Sequence, residues 1–228
     1  MKENHILIGL GGTGGKVLKA FRKRLYQEYN DDERAKLPIA FLYVDSSTEE
    51  MMPGDKTWYV LGKNAQFTAN EFVNVKGVDI KSILANPKNY PGLKGLIGDG
   101  EVMAKTIGEV GAAAAQKRRA GRILFGSSVE NYKNALLGAY NRVNKITHAE
   151  RTNIYIFTGL AGGTGSGSII DVISQTRMMP QFQDMLSMDG KTGTSIVVNA
   201  MVPEITPPGK SVSGSAFIPC IIEKSSNS

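Results

Sequence analysis

Cysteine is almost missing from this chain: Cys220 is the only one in 228 residues, so no internal disulfide can form. A disulfide-stapled design is thereby excluded. Histidine is scarce too, with only His5 and His148. His5 starts an apolar run, and His148 sits in the turn "ITHAER" with no second ligand at helical spacing. Neither suits a zinc site or a histidine-based catalytic pair, and both read as structural residues. Long hydrophobic runs are absent; the longest are strand-length, so no membrane-spanning helix is expected. The opening "MKENHILIGLGG" lacks the basic, apolar and small-residue order of a signal peptide. The combined expectation is a cytoplasmic globular protein.

Acidic residues are in deficit, 21 against 27 Lys and Arg, for a net charge of +6. The excess gathers in "KVLKAFRKR" (Lys16–Arg24) and "QKRRAGR" (Gln116–Arg122). Such clusters suit a solvated helix face or an anionic ligand nearby. No zinc-finger spacing or RNA-binding aromatic signature accompanies them, so nothing favours nucleic acid as a partner.

Glycine, by contrast, is plentiful and concentrated. In "FTGLAGGTGSGSIIDVI" (Phe157–Ile173), five of the nine residues from Gly159 to Gly167 are glycine. An apolar run precedes them and a helix-periodic segment follows. Glycine costs roughly 0.5–1 kcal/mol per position relative to alanine in regular structure, so a local need must offset it.

The rest of the pattern alternates strands with helices. "HILIGL" (His5–Leu10) reads as a buried strand and "KVLKAFRKRLYQEY" as a helix with Val17, Leu18, Phe21, Leu25 and Tyr29 on one side. "NDDERAKLP" reads as a turn, and "IAFLYVD" (Ile39–Asp45) as a second strand ending in an acid. A helix over Ser128–Ile146 has Val129, Tyr132, Leu136, Tyr140 and Val143 inward; strands follow at Asn153–Gly159 and Thr194–Pro203. Strands apolar throughout predict a mostly parallel sheet covered on both faces, an α/β Rossmann-like three-layer fold. Residues 1–205 form one domain, with a weakly patterned insertion at 51–100 in which "TWYVL" is a candidate strand. Residues 206–228 read as an irregular tail.

The glycine loop is stated twice, as "LIGLGGTGGKVL" and "FTGLAGGTGSGSII", each between a strand and a helix. Successive N–H groups there form an anion nest, reinforced by the positive end of the helix behind. Phosphate is the natural ligand. Charge-assisted hydrogen bonds of this kind contribute on the order of 1.5–3 kcal/mol each. Gly9, Gly11 and Gly14 also satisfy G-x-G-x-x-G, with Asp45 ending the next strand as a ribose acid, so a Rossmann NAD(P)-binding protein is an alternative. A P-loop fails, because Leu10 stands where its first glycine belongs and Val17 where its Ser or Thr belongs.

"GGTGSG" (Gly162–Gly167) resembles the tubulin signature G-G-G-T-G-[ST]-G, with Ala161 at the first glycine. The chain is similar to the tubulin and FtsZ superfamily, and most to its divergent prokaryotic tubulin-like branch. "GLGGTGGKVL", "YVDSS", "GEVGAAAAQKRRAGRILF" and "VVNAMVPE" are placed like that family's first, second, third and fifth nucleotide loops. The resemblance implies a tubulin/FtsZ GTPase-type domain that binds GTP or GDP with Mg2+ and self-associates into filaments. Carried over by position, Gly11, Gly12, Thr13 and Gly14 hold the α- and β-phosphates, and Gly162, Gly163, Thr164, Gly165 and Ser166 wrap them from the other side. Asp45 lies near the metal or phosphates. Gly111, Ala112 and Ala113 face the γ-phosphate, with Arg118 and Arg119 as possible neutralising charges, and Glu204 lies near the ribose. Ser166 or Ser168 is a candidate N-cap for the helix that follows.

The family's central helix with its guanine-reading residues, its catalytic acid loop and its second domain have no counterpart in this sequence. The expectation is therefore a nucleotide-binding portion that does not complete hydrolysis alone, with a cytoskeletal role implied. A structural assembly protein with a vestigial nucleotide site is the remaining alternative.

Overall fold

The first strand, β1 (Asn4–Leu10), is apolar on both faces, and it lies in the middle of the sheet. The computed structural model describes residues 3–76, 79–90, 93–108, 114, 117–203 and 217–221. After β1 come α1 (Gly11–Glu28), α2 (Asp31–Ala35) and β2 (Ile39–Asp45). A small hairpin, β3 (Tyr59–Val60) and β4 (Lys63–Asn64), precedes β5 (Phe72–Asn74). Helices α3 (Ile80–Ala85), α4 (Lys94–Ile97), α5 (Gly100–Ile107), α6 (Arg118–Ser127) and α7 (Val129–Thr147) follow. The chain then forms β6 (Arg151–Gly159), α8 (Thr164–Met178), β7 (Gly193–Pro203) and β8 (Phe217–Ile221).

The main sheet runs β5-β2-β1-β6-β7-β8. All pairings are parallel except β7 with β8, which is antiparallel. The chain leaves β1 toward β2 on one side and leaves β6 toward β7 on the other. Strand order therefore reverses between β1 and β6, the kind of switch point beyond whose strand ends open α/β sheets bind ligands.

Alternation along the strands assigns the two faces. Ile6, Ile8 and Leu10 of β1 and Ala40, Leu42 and Val44 of β2 join α6, α7 and α8 in the larger core. Leu7, Phe41 and Tyr43 point the other way, onto Leu18 of α1 and onto Trp58, Val60, Ala65 and Phe67. Each fully buried side chain of this size contributes about 1.5–3 kcal/mol, and both faces are occupied, as a parallel sheet requires. The result is the three-layer α/β fold expected from the sequence.

Tyr132, Leu136 and Val143 of α7 are buried at helical spacing, with Ala139 between them, and Tyr140 packs at the margin. His148 ends that helix in the left-handed region, at φ 50°, and His5 stacks on Tyr155. Burial lowers the His5 pKa below its ordinary value. Both histidines thus do structural work.

Four local readings differ from the structure, the first being the tail read as irregular, which carries strand β8 (Phe217–Ile221) paired with β7. "NDDERAKLP" contains the short helix α2, because Asn30 and Glu33 form a reciprocal capping box. Helix α1 begins at Gly11, inside the glycine loop, and buries only Leu18 of its predicted stripe, while Phe21 and Tyr29 stay exposed. It approaches the sheet through Gly14 and Gly15 instead. Of "TWYVL", only Tyr59 and Val60 are strand.

The 51–76 segment supplies β5 to the sheet and lays Trp58 and Phe67 beneath α1. Arg22 of α1 clamps it: its guanidinium lies over the rings of Phe41, Phe67 and Tyr26 and pairs with Glu71 at 2.8 Å.

Candidate functional site

Three strand ends meet at one edge of the sheet. In register, Leu10 of β1 pairs with Val44 of β2 on one side and with Thr158 of β6 on the other. The glycine loops that follow β1 and β6 are therefore neighbours, and they touch. Gly11 takes φ +67°, and a Cβ built on it would come within 3.0 Å of the Gly165 backbone nitrogen. A Cβ on Gly165 would lie 2.6 Å from the Leu10 carbonyl oxygen and 2.4 Å from Thr158 Oγ1. Thr13 leans across, so that a Cβ on Gly159 would meet its Oγ1 at 2.5 Å. Gly14 is pressed against the Phe157 carbonyl oxygen, at 2.4 Å from an added Cβ. These glycines let two helix starts and two strand ends occupy a space that side chains would fill.

Two positions behave differently. Among the described residues, Gly12 has nothing within 4 Å of an added Cβ, and Gly162 meets only the Gly159 carbonyl oxygen at 3.9 Å. Neither takes a positive φ, so neither glycine is explained by protein packing or by turn geometry. Their open sides are the parts of the two loops that a ligand can approach.

Both helices that start here lack a side-chain cap. Leu10 precedes α1 and Gly163 precedes α8, and neither helix has an acidic residue in its first turn. The serines considered as caps are turned elsewhere: Ser166 Oγ donates to the Gly162 carbonyl, and Ser168 Oγ donates to the Thr164 carbonyl at 2.7 Å. Among the described residues no carboxylate caps the leading N–H groups of these two neighbouring helices, an arrangement that favours a negatively charged ligand.

Asp45 is buried at the end of β2 and already engaged. Its Oδ2 accepts from Tyr43 Oη at 2.7 Å, and its Oδ1 accepts from the Ser46 N–H at 2.7 Å. Burial first, and then the adjacent Asp45 charge, push the Tyr43 hydroxyl pKa far upward, so Tyr43 remains a neutral donor. Thr164 is buried, with its Oγ1 2.9 Å from Ser46 Oγ, and Ser46 Oγ accepts from the Ala114 N–H at 3.1 Å. Ser46 lies in the "YVDSS" segment without a residue-level signal of its own beyond being a small polar residue directly after the acid that ends β2. Thr158 Oγ1, beneath Gly165, is fully buried with no hydrogen-bond partner among the described residues.

Arg118, the first residue of α6, reaches across to the Leu160 carbonyl at 2.8 Å, which brings a cation to the rim of the second loop. Its neighbour Arg119 is exposed. Gly111, Ala112, Ala113 and Glu204 lie outside the described residues. Gly163 is buried, and its carbonyl oxygen would lie 2.2 Å from a Cβ on Gly121. Among the described residues no group of three His, Cys, Asp or Glu side chains is placed to hold a metal ion. None of the described helices is long and apolar enough to cross a membrane.

The paired glycine loops on adjacent parallel strands define a three-layer α/β domain with an anion-receptive edge. The chain belongs to the tubulin-like family: the family model described as "Tubulin like" matches residues 6–213. Among solved structures it is similar to CetZ2 from Haloferax volcanii, determined as a GTPγS-bound protofilament, at 16% identity and a TM-score of 0.42. That alignment covers 87% of this chain and 39% of the solved chain, so this chain spans well under half of that protein's length. No curated protein matches the chain in sequence.

Proposed function

We propose that this tubulin-like chain binds guanine nucleotide, GTP or GDP, through the two glycine loops. The observation that carries the proposal is the contact between two uncapped, glycine-built helix starts at the sheet's switch point, with Gly12 and Gly162 left open. Backbone N–H groups of Gly11, Gly12, Thr13 and Gly14 would receive the α- and β-phosphates. Those of Gly162, Gly163, Thr164, Gly165 and Ser166 would receive them from the other flank. The residues fit such a group, since among the described residues no atom crowds the Cβ direction of Gly12 and only the Gly159 carbonyl oxygen, at 3.9 Å, comes near that of Gly162. Gly111, Ala112 and Ala113 belong to the γ-phosphate side and Glu204 to the ribose side in the same scheme. Mg2+ bound with the nucleotide would take its ligands from phosphate oxygens and water, and neutralise charge there. Asp45, oriented by Tyr43 and Ser46, keeps acceptor capacity on its oxygens and would lie near the metal or phosphates.

Membership of the tubulin-like family favours guanine nucleotide over the dinucleotide alternative. No described residue is given a role in hydrolysis, and the binding loops alone do not supply one. Self-association into filaments and a cytoplasmic, prokaryotic cytoskeletal setting complete the proposal, supported by membership of the family.

Isothermal titration of the chain with GTP, GDP, ATP and NADH in the presence of Mg2+ tests it. Guanine nucleotides are expected to bind most tightly. Tighter binding of NADH would reject the guanine-nucleotide assignment. Light scattering with and without GTP at matched Mg2+ tests assembly; equal assembly in both would favour a structural protein with a vestigial site.

A further inference from the structure

Among the described residues, the buried hydroxyls of Ser46 and Thr164 have one proton more than their partners accept. Each hydroxyl carries a single O–H donor. Ser46 Oγ accepts from the Ala114 N–H at 3.1 Å, and the two hydroxyl oxygens lie 2.9 Å apart. One O–H is used in the bond between them. The other has no acceptor among the described hydrogen bonds, although Ser46 is 3% and Thr164 5% exposed. A buried donor without an acceptor is costly, and its presence beside a nest of backbone donors calls for an acceptor-only ligand.

The direction of the chain follows from polarisation. A hydroxyl that accepts a hydrogen bond becomes a better donor. Either oxygen can donate across the 2.9 Å pair; receiving from the Ala114 N–H favours Ser46 as the donor toward Thr164, which leaves the second proton on Thr164. Thr164 is also the member that faces the other loop: a Cβ on Gly11 would lie 3.7 Å from Thr164 Cβ. From this geometry we infer that Ser46 is a positioning residue, the middle link of a relay from the Ala114 N–H through Ser46 and Thr164 to a phosphoryl oxygen. The relay rests on the phosphate-binding role proposed above and adds to it a residue from a third strand end. It ties Ala114, just after the expected γ-phosphate segment, to the second glycine loop. Neither Ser46 nor Ala114 needs to touch the ligand for this.

The test uses the full chain, GTP titration by calorimetry, and melting curves as a check on folding. Thr164→Val removes a donor to an anion and is expected to weaken binding about 10- to 100-fold. Ser46→Ala is expected to weaken it about 3- to 10-fold, because Thr164 loses its orienting partner. The double variant should be no weaker than Thr164→Val alone, because the two residues act through one bond to the ligand. Ser46→Thr, which keeps the hydroxyl, should restore affinity to within about twofold of wild type, whereas the isosteric Ser46→Val should not. Amide exchange at Ala114 should quicken in Ser46→Ala and Ser46→Val only. Should Ser46→Ala melt early, the Thr and Val pair carries the comparison at equal volume. Wild-type affinity in Ser46→Val or Thr164→Val, or independent effects in the double variant, would overturn the relay while leaving phosphate binding intact. Absence of GTP and GDP binding by the wild-type chain would remove the phosphate site itself, and the relay with it.

Discussion

Gly12 and Gly165 separate ligand binding from folding, and their substitution is the most informative perturbation available. Gly12 is exposed in the first turn of α1, and an added Cβ meets no described atom within 4 Å, so Gly12→Val is expected to disturb little of the protein's own packing. Its effect on stability should lie within about 0.5 kcal/mol, a melting shift of roughly 1–2 °C for a chain of this size. The new side chain, however, would fill the cradle. Displacing a phosphate from two backbone donors, each contributing on the order of 1.5–3 kcal/mol, weakens binding by about 3–6 kcal/mol, or roughly 10²- to 10⁴-fold in Kd. Gly165→Ala adds a folding cost that Gly12→Val lacks. Its Cβ would press on the Leu10 carbonyl at 2.6 Å and on Thr158 Oγ1 at 2.4 Å, in strands that cannot retreat. Overpacking of this kind costs about 1–3 kcal/mol, or roughly 2–12 °C in Tm. Differential scanning fluorimetry and calorimetric titration with GTP read the two effects separately. A folded Gly12→Val protein that binds GTP as the wild type does would refute the cradle.

Other substitutions report on the frame around the site. Gly121→Ala should lower Tm by several degrees, because its Cβ would sit 2.2 Å from the Gly163 carbonyl oxygen where α6 crosses the second loop; an unchanged melting curve would contradict that close approach. Burial raises the Glu71 carboxyl pKa, but the Arg22 charge and the Thr68 hydrogen bonds outweigh it and hold the group below its ordinary 4.5. A lowered folded pKa adds stability above about pH 5 that fades as the pH falls through the folded value. Glu71→Gln should therefore cost stability at pH 7 and flatten the loss between about pH 5 and pH 3, which urea titrations across that range measure. Tyr132→Phe leaves Thr176 bonded to the Val172 carbonyl and should cost only about 1 kcal/mol; a loss above about 3 kcal/mol would show a larger role for the 2.6 Å hydroxyl pair.

How much of this could be read in advance depended on whether the signal was local. Strands β1, β2 and β6 announce themselves because a central parallel strand is apolar on both faces, and α7 because its buried residues recur at helical spacing. The two glycine loops were equally plain, but their composition alone does not divide ligand-facing from packing glycines. Gly14, Gly165 and Gly167 serve close backbone approach, and Gly12 and Gly162 do not; only the three-dimensional contacts separate them. The 51–76 stretch was opaque because its strands are two or three residues long and its core residues, Trp58 and Phe67, find partners only across the fold. Ser46 was missed for a related reason, since its partners Ala114 and Thr164 are 68 and 118 residues away.

The seam between β1 and β6 divides the sheet into a β5-β2-β1 half and a β6-β7-β8 half, each rooted in its own glycine loop. Any molecule that grips both loops is consequently a rivet across that seam. Its occupancy should register as slower opening of the sheet's middle strands, so protease resistance and amide protection at Ile8 and Ile156 become gauges of saturation even when no turnover is measured.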